Sequence, residues 1–152
     1  MNLKGEVIVV TGASTGLGAA IAEALAEAGA KVVICARNRD ALEAECKKIA
    51  NKGGSCKYYV VDVTKQQQVN KFVKEVLKTQ GQIDVLVNNA GYADVKKAIE
   101  EVSDEEYKLY MQTNVDSVFY FTREVLPQMK KQNNGVIVNI ASGAGRKGHP
   151  GL

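Results

Sequence analysis

A chain of 152 residues, 45% hydrophobic and 24% charged, is the size of one globular domain with a core of its own. Its formal charge of +3 comes from Lys and Arg spread evenly along the chain, without the dense basic stripe that phosphate-backbone recognition needs, which argues against nucleic acid as a partner. No apolar run approaches the roughly 20 residues that cross a bilayer, and Met1-Asn2-Leu3-Lys4-Gly5 lacks the apolar stretch of a secretory signal, so the expectation is a soluble, cytoplasmic protein with no membrane partner.

The elements alternate in chain order. A β-branched run, Val7 to Val10, leads into a glycine-rich turn, Gly12-Ala13-Ser14-Thr15-Gly16-Leu17-Gly18, that opens a helix ending near Gly29. A second strand spans Lys31 to Ala36 and a third Lys57 to Val61. Thr64 and Gln67 fit a capping box for a helix carrying Val69, Phe72, Val73, Val76 and Leu77 on one stripe, with Gly81 at its end. A fourth strand covers Ile83 to Val87, and Ser103 with Glu106 form a second capping box. Val115, Val118, Phe119, Thr122, Val125, Leu126 and Met129 mark the sheet-facing stripe of a later helix, before a last strand from Val136 to Ile140.

This alternation predicts an α/β fold, a Rossmann-like doubly wound parallel sheet in the order 3-2-1-4-5, with every strand apolar enough to be buried on both faces. Residues 1–152 contain no repeat or linker and form a single predicted dinucleotide-binding domain, incomplete at its C-terminal end. The chain reversal leaves a crevice at the carboxyl ends of the first and fourth strands, where a ligand is expected. Cys35, Cys46 and Cys56 are odd in number, lack C-x-x-C spacing and fall within predicted strands or a helix, and are expected to be reduced packing residues. His149 has no second histidine with which to share a metal, so it reads as a loop residue and no metal site is predicted.

The glycine turn carries the chemistry. Gly12 directly follows a strand, while Gly16 and Gly18 lie where the helix begins, so the backbone can turn tightly and present free N–H groups to an anion. A glycine triplet alone specifies only a tight loop. Between a strand and a helix at the start of an α/β chain, it suits the pyrophosphate of a nicotinamide dinucleotide. No Gly-Lys-Ser/Thr follows, which disfavours nucleotide hydrolysis.

The segment Thr11 to Gly18 together with Asn88-Asn89-Ala90-Gly91, Asp62-Val63, Asn114 and Asn139-Ile140-Ala141-Ser142 resembles the classical short-chain dehydrogenase/reductase family, and the G-x-x-x-G-x-G spacing separates it from the extended branch. The resemblance implies that Gly12, Ser14, Thr15, Gly16, Leu17 and Gly18, with Asn89, Ala90 and Gly91, hold the cofactor, and that Asp62 and Val63 hold its adenine ring. It implies that Ser142 orients a substrate carbonyl and that Asn114 supports the lysine of a Tyr-x-x-x-Lys pair. Without the family, Ser142 is a turn residue before Gly143, and Asn114 is a polar group on a helix's inward face that needs buried partners.

Ala36 stands where NAD-dependent relatives carry an aspartate, and Arg37 follows with a guanidinium suited to a 2′-phosphate. NADP(H) is therefore expected over NAD. Ser14 and Thr15 add hydroxyls, although many NADP-dependent relatives place a basic residue at the position of Thr15. Taken alone, Arg37 is a solvated side chain beside the helix cap Asn38.

The family's Tyr-x-x-x-Lys pair is expected about a dozen residues beyond Ser142, past the last residue, Leu152. Tyr92 and Lys96 have the spacing but follow the Asn-Asn-Ala-Gly turn, and read as a coincidence. The resemblance thus covers the first three-fifths of a typical member, leaving Val136 to Val138 as an apolar edge. The expected function is an NADP-dependent oxidoreductase moving hydride between cofactor and a small-molecule carbonyl or alcohol; the alternative is a dinucleotide-binding fragment or sensor without catalysis. Relatives pair through the helix carrying Phe119 and Leu126, which implies a homo-oligomer at full length.

Overall fold

A computed structural model describes residues 3–93 and 97–148; Lys96 and His149 lie outside them. Five parallel strands, β1 (Val7–Thr11), β2 (Lys31–Ala36), β3 (Ser55–Val60), β4 (Val85–Asn88) and β5 (Val136–Asn139), form one sheet in the order β3-β2-β1-β4-β5, as expected. The helices are α1 (Gly16–Glu27), α2 (Arg39–Asn51), α3 (Gln66–Gln80), α4 (Asp104–Met111) and α5 (Ser117–Gln132).

Side chains along a strand alternate between faces, and this alternation splits the core in two. Val7 and Val9 of β1 and Val33 and Cys35 of β2 pack with Val69, Phe72, Val73 and Val76 of α3 and Phe121, Val125 and Met129 of α5. Ile8, Val10, Val32 and Ile34 face the opposite way, onto Ala22 and Ala26 of α1 and Leu42 and Ile49 of α2. Helices therefore cover both faces, and the carboxyl ends of all five strands emerge on one side.

Some expectations are corrected. β3 is not buried on both faces: Ser55, Lys57 and Val60 are exposed, because β3 pairs only with β2. β5, the other edge, leaves Val136 and Val138 exposed, in line with its expected apolar edge. Thr64 does not cap α3. Its hydroxyl donates instead to Asp62 Oδ1 (2.8 Å), and the helix begins after Lys65 without a capping side chain. Ser103 and Glu106 do form their reciprocal capping box, and Gly29 and Gly81 have the positive φ expected of them, 95° and 82°.

The stripe assigned to α5 is rotated. Thr113, Ser117, Phe121, Val125 and Met129 are buried, whereas Val115, Phe119 and Leu126 are exposed. Val125 and Met129 of the expected stripe are buried and Val118 and Thr122 half-buried, but both sides of this helix are apolar, so periodicity alone drew in the outward Val115, Phe119 and Leu126 and passed over Phe121. A wide turn at Gln112–Asp116, closed by an i→i+5 bond from the Ser117 N–H to the Gln112 carbonyl, also shifts the helical phase just before α5.

The cysteines divide. Cys35 is a buried free thiol, as expected. Cys46 and Cys56 are joined in a disulfide, against the expectation of reduced packing residues. The turn after α2 folds the end of that helix back against the start of β3 and brings their Cα atoms within 5.2 Å, a juxtaposition that the spacing in sequence does not reveal.

Candidate functional site

A cleft of about 370 Å³ opens at the carboxyl ends of the strands. The glycine turn forms its floor. Gly12 and Gly16 adopt φ of 65° and 60°, values that a side chain disfavours. A Cβ on Gly12 would lie 2.7 Å from Ala90 Cα, and one on Gly18 would lie 2.5 Å from the Gly12 carbonyl oxygen and 2.9 Å from Ala13 Cα. The turn can close this tightly only because those atoms are missing.

At the start of α1, Thr15 makes no side-chain cap and the first turn holds no acidic residue. The leading amides of the helix thus keep their donors for an anion, at the positive end of the helix dipole. Ser14, Thr15, Leu17 and Gly18 line the cleft with Gly12. Gly16 shapes the turn without lining the cleft.

Thr11 joins the two walls. Its Oγ1 accepts the Asn89 N–H (3.0 Å) and the Ala90 N–H (2.9 Å) and donates to the Val87 carbonyl (3.4 Å). The Asn89 amide in turn donates to the Thr11 carbonyl (2.9 Å) and the Gly12 carbonyl (3.2 Å). The loop after β4 is therefore fastened to the end of β1, and Asn89, Ala90 and Gly91 form the wall opposite α1. Beneath the turn, burial pushes the Cys35 thiol up to about 12, so it stays protonated and inert.

At the other end of the cleft stand Ala36, Arg37 and Asn38 of the β2–α2 junction, facing Val61, Asp62, Val63 and Thr64 beyond β3. Arg37 is exposed and, among the described residues, has no ion-pair partner. The Asn38 side chain accepts the Ala41 N–H (3.1 Å) and so caps α2. Asp62 is steadied by Thr64, whose N–H and hydroxyl both donate to its Oδ1. Among the described residues no group of His, Cys, Asp and Glu could hold a metal ion, and no helix is long and apolar enough to cross a membrane.

A family model of the short chain dehydrogenases matches residues 6–152. The chain belongs to that family. An uncharacterized oxidoreductase of Staphylococcus saprophyticus is 39% identical over 99% of this chain and 60% of its own length. The 3-oxoacyl-acyl-carrier-protein reductase FabG of Thermotoga maritima is 36% identical over 99% of this chain and 61% of its own. Among solved structures, an NAD+-bound xylitol dehydrogenase superimposes with a TM-score of 0.95 at 37% identity, covering 100% of this chain and 58% of that one. A metagenomic short-chain oxidoreductase in complex with NADP gives 0.94 at 35%, covering 97% and 67%. The chain thus spans about 60% of the length of the curated relatives it matches.

Within this short-chain dehydrogenase, Asn114 sits in the wide turn before α5 and is exposed, not on an inward face. Both ends of its amide are nevertheless engaged: Oδ1 accepts the Tyr92 N–H (2.9 Å) and Nδ2 donates to the Tyr92 carbonyl (2.8 Å). Tyr92 lines the cleft, so Asn114 fixes its rim. Ser142 lies apart from the cleft lining, three residues beyond β5, where its Oγ accepts the Ala144 N–H (3.2 Å). Sequence reasoning passed over Thr11 as a hydrogen-bonding hub and over Tyr92, Leu109 and Thr113 as lining residues. Thr11 was findable, being a hydroxyl at the end of a strand whose other residues are all aliphatic.

Proposed function

We propose that this protein is an NADP(H)-dependent oxidoreductase that interconverts a small-molecule carbonyl and alcohol. One observation carries the cofactor assignment: an exposed Arg37 guanidinium at the end of the cleft, without an ion-pair partner among the described residues, beside Ala36 where an acid would repel a 2′-phosphate. When bound, the nicotinamide supplies the hydride.

The chain's own groups then divide the work. The amides of the turn Gly12 to Gly18 hold the pyrophosphate. Arg37, with Ser14 and Thr15, takes the 2′-phosphate. Asp62 and Val63 take the adenine ring, and Asn89, Ala90 and Gly91 the remaining wall. Ser142 Oγ accepts the Ala144 N–H, so its own O–H remains available to hydrogen-bond, without transferring its proton, to the substrate oxygen. Asn114 is a positioning residue, acting through the Tyr92 backbone.

Calorimetric titration of wild type and Arg37→Ala with NADPH and NADH tests the assignment. The expected loss for NADPH is about 10–100-fold, the worth of one or two charge-assisted hydrogen bonds, with NADH changed less than about threefold. Equal loss for both overturns it. The NAD+-bound xylitol dehydrogenase favours a second reading, an NAD-linked enzyme, which tighter wild-type binding of NADH would support. The exposed Val115 of the wide turn and Phe119 and Leu126 of α5 support a homo-oligomer of the full-length protein, and a full-length protein that is monomeric by light scattering would count against it.

A further inference from the structure

The edge of the sheet farthest from β5 is held by an unusual combination. β3 has a single strand neighbour, β2; α2 covers one of its faces, and on the other Tyr59 packs edge-on against Phe72 of α3. The two elements meet through the Cys46–Cys56 disulfide, through Ile49 against Gly54, and through the Tyr58 hydroxyl, which donates to Glu43 Oε2 (3.5 Å). Both cysteines are half-buried rather than sealed in the core. The same two elements carry one end of the cleft, since Arg37 and Asn38 lead into α2 while Val61 and Asp62 lead out of β3.

The pairing is also unambiguous. Cys56 and Cys46 pack on the α1–α2 side of the sheet, whereas Cys35 is buried on the α3–α5 side. The sheet itself therefore separates the third thiol from the other two, and exchange among the three is blocked in the folded chain.

We infer that Cys46 and Cys56 form a reversible thiol–disulfide latch that sets how firmly α2 holds the edge strand β3 and, through it, the Arg37–Asp62 end of the cleft. The reaction balances with a low-molecular-weight disulfide such as glutathione disulfide as oxidant. One cysteine thiolate attacks it, releasing one glutathione thiol and leaving a mixed disulfide. The second cysteine displaces the other glutathione, so that two protein S–H bonds give one S–S bond and two glutathione thiols. In a reducing compartment the same steps run backwards and open the latch.

The experiment uses the whole chain equilibrated in glutathione buffers of graded potential, with free thiols counted by mass after alkylation. The expected result is a single two-thiol transition, one further thiol labelling only after denaturation, and a melting temperature about 5–10 °C higher in the oxidised form, the effect of a short closed loop on a chain of this size. Cys46→Ser and Cys56→Ala should melt near the reduced wild type and lose the two-thiol transition, going no further than a mixed disulfide with glutathione. Should either variant fail to fold, the oxidised and reduced wild type still supply the comparison. Two readily alkylated thiols after treatment with glutathione disulfide, or identical melting of the two wild-type forms, overturns the latch.

The effect on the cleft rests on the proposed cofactor reading. NADPH should bind about two- to fivefold more tightly to the oxidised chain, a difference of under 1 kcal/mol by the usual conversion, and the variants should show no such difference. Equal affinity in both forms overturns the coupling to the cleft. Absence of any dinucleotide binding in either form overturns the cofactor reading instead, while the melting comparison still decides the latch.

Discussion

Replacing Thr11 by valine tests the fastening between the two walls of the cleft. The side chain is 2% exposed, and valine differs from it chiefly in carrying a methyl group where threonine has the hydroxyl. What is lost is an acceptor for two backbone amides, Asn89 at 3.0 Å and Ala90 at 2.9 Å, and a weak donor to Val87 at 3.4 Å. A buried N–H left without a partner costs about 1–3 kcal/mol. Both residues are half-buried, so the lower part of that range applies to each, giving a loss of about 2–4 kcal/mol. Urea unfolding should report it as a shift in midpoint at constant slope, and thermal melting as a fall of about 5–15 °C. Thr11→Ser keeps the hydroxyl and should recover most of the loss. A change below about 0.5 kcal/mol for Thr11→Val would mean that water satisfies both amides and that the hydroxyl does not fasten the walls.

Gly18→Ala places a methyl 2.4 Å from Asn89 Nδ2 and 2.5 Å from the Gly12 carbonyl oxygen; we expect at least about a tenfold loss of NADPH affinity by calorimetry together with a lower melting temperature. Phe121→Ala should cost about 3–5 kcal/mol in urea unfolding, while Phe119→Ala, on the outward side of the same helix and 56% exposed, should leave the stability of the monomer nearly unchanged. The Glu23 carboxyl is held down to about 2, against an ordinary 4.5, by hydrogen bonds from Lys48 and Lys52, so its stabilising effect is full above the ordinary value and lost as pH falls toward 2. Glu23→Gln should accordingly flatten that acid limb in melts followed against pH. The Glu45 carboxyl is raised by burial and by the neighbouring Glu23, the opposite sign: its favourable state is the protonated one, present below the ordinary range and lost as pH rises through the raised value. Glu45→Gln should therefore gain on the wild type as pH increases, and a gap between the two that does not vary with pH would contradict the burial argument.

The sheet was legible because its signal is redundant. Four of the strands, β1, β2, β4 and β5, are short aliphatic runs rich in β-branched residues, α3 has a periodic stripe, and the right-handed connection of parallel strands leaves few orders to choose from. Failures fell where two physical options are close in sequence terms. α5 is apolar on two sides, and only the position of Phe121 relative to the sheet decides which is buried. Thr64 has an acceptor in Asp62 nearer than the helix amides it was expected to cap. The pairing of Cys46 with Cys56 depends on how a helix end meets a strand start, which no local pattern encodes. At the site, the glycines were readable because a missing Cβ is itself a sequence feature. The hub at Thr11 acts through bonds to Asn89 and Ala90, some 80 positions away in order of magnitude, and becomes visible only once β1 and β4 are neighbours.

The two long sides of the cleft are therefore maintained by opposite means. On the α1 side the backbone closes because nothing projects from Gly12 and Gly18, so any added carbon meets main chain that cannot yield. On the β4 side the loop is held by hydroxyl and amide bonds from Thr11 and Asn89. The next strand is tied in the same way, Asn88 Nδ2 donating to Asn139 Oδ1 at 2.8 Å, which registers the segment leading to Ser142 against the loop leading to Ala90. β3 and β5 stand four strand spacings apart, about 19 Å, so Asp62 and Ser142 belong to opposite ends of the sheet. A small steric change should thus act on the α1 side in proportion to the atoms added, whereas a polar deletion on the β4 side should propagate along Thr11, Asn89 and Asn88 toward Ser142. Combining Thr11→Val with Asn88→Ala separates the two cases: the pair should be non-additive by about 0.5 kcal/mol or more if the bonds form one network, and additive if each is local.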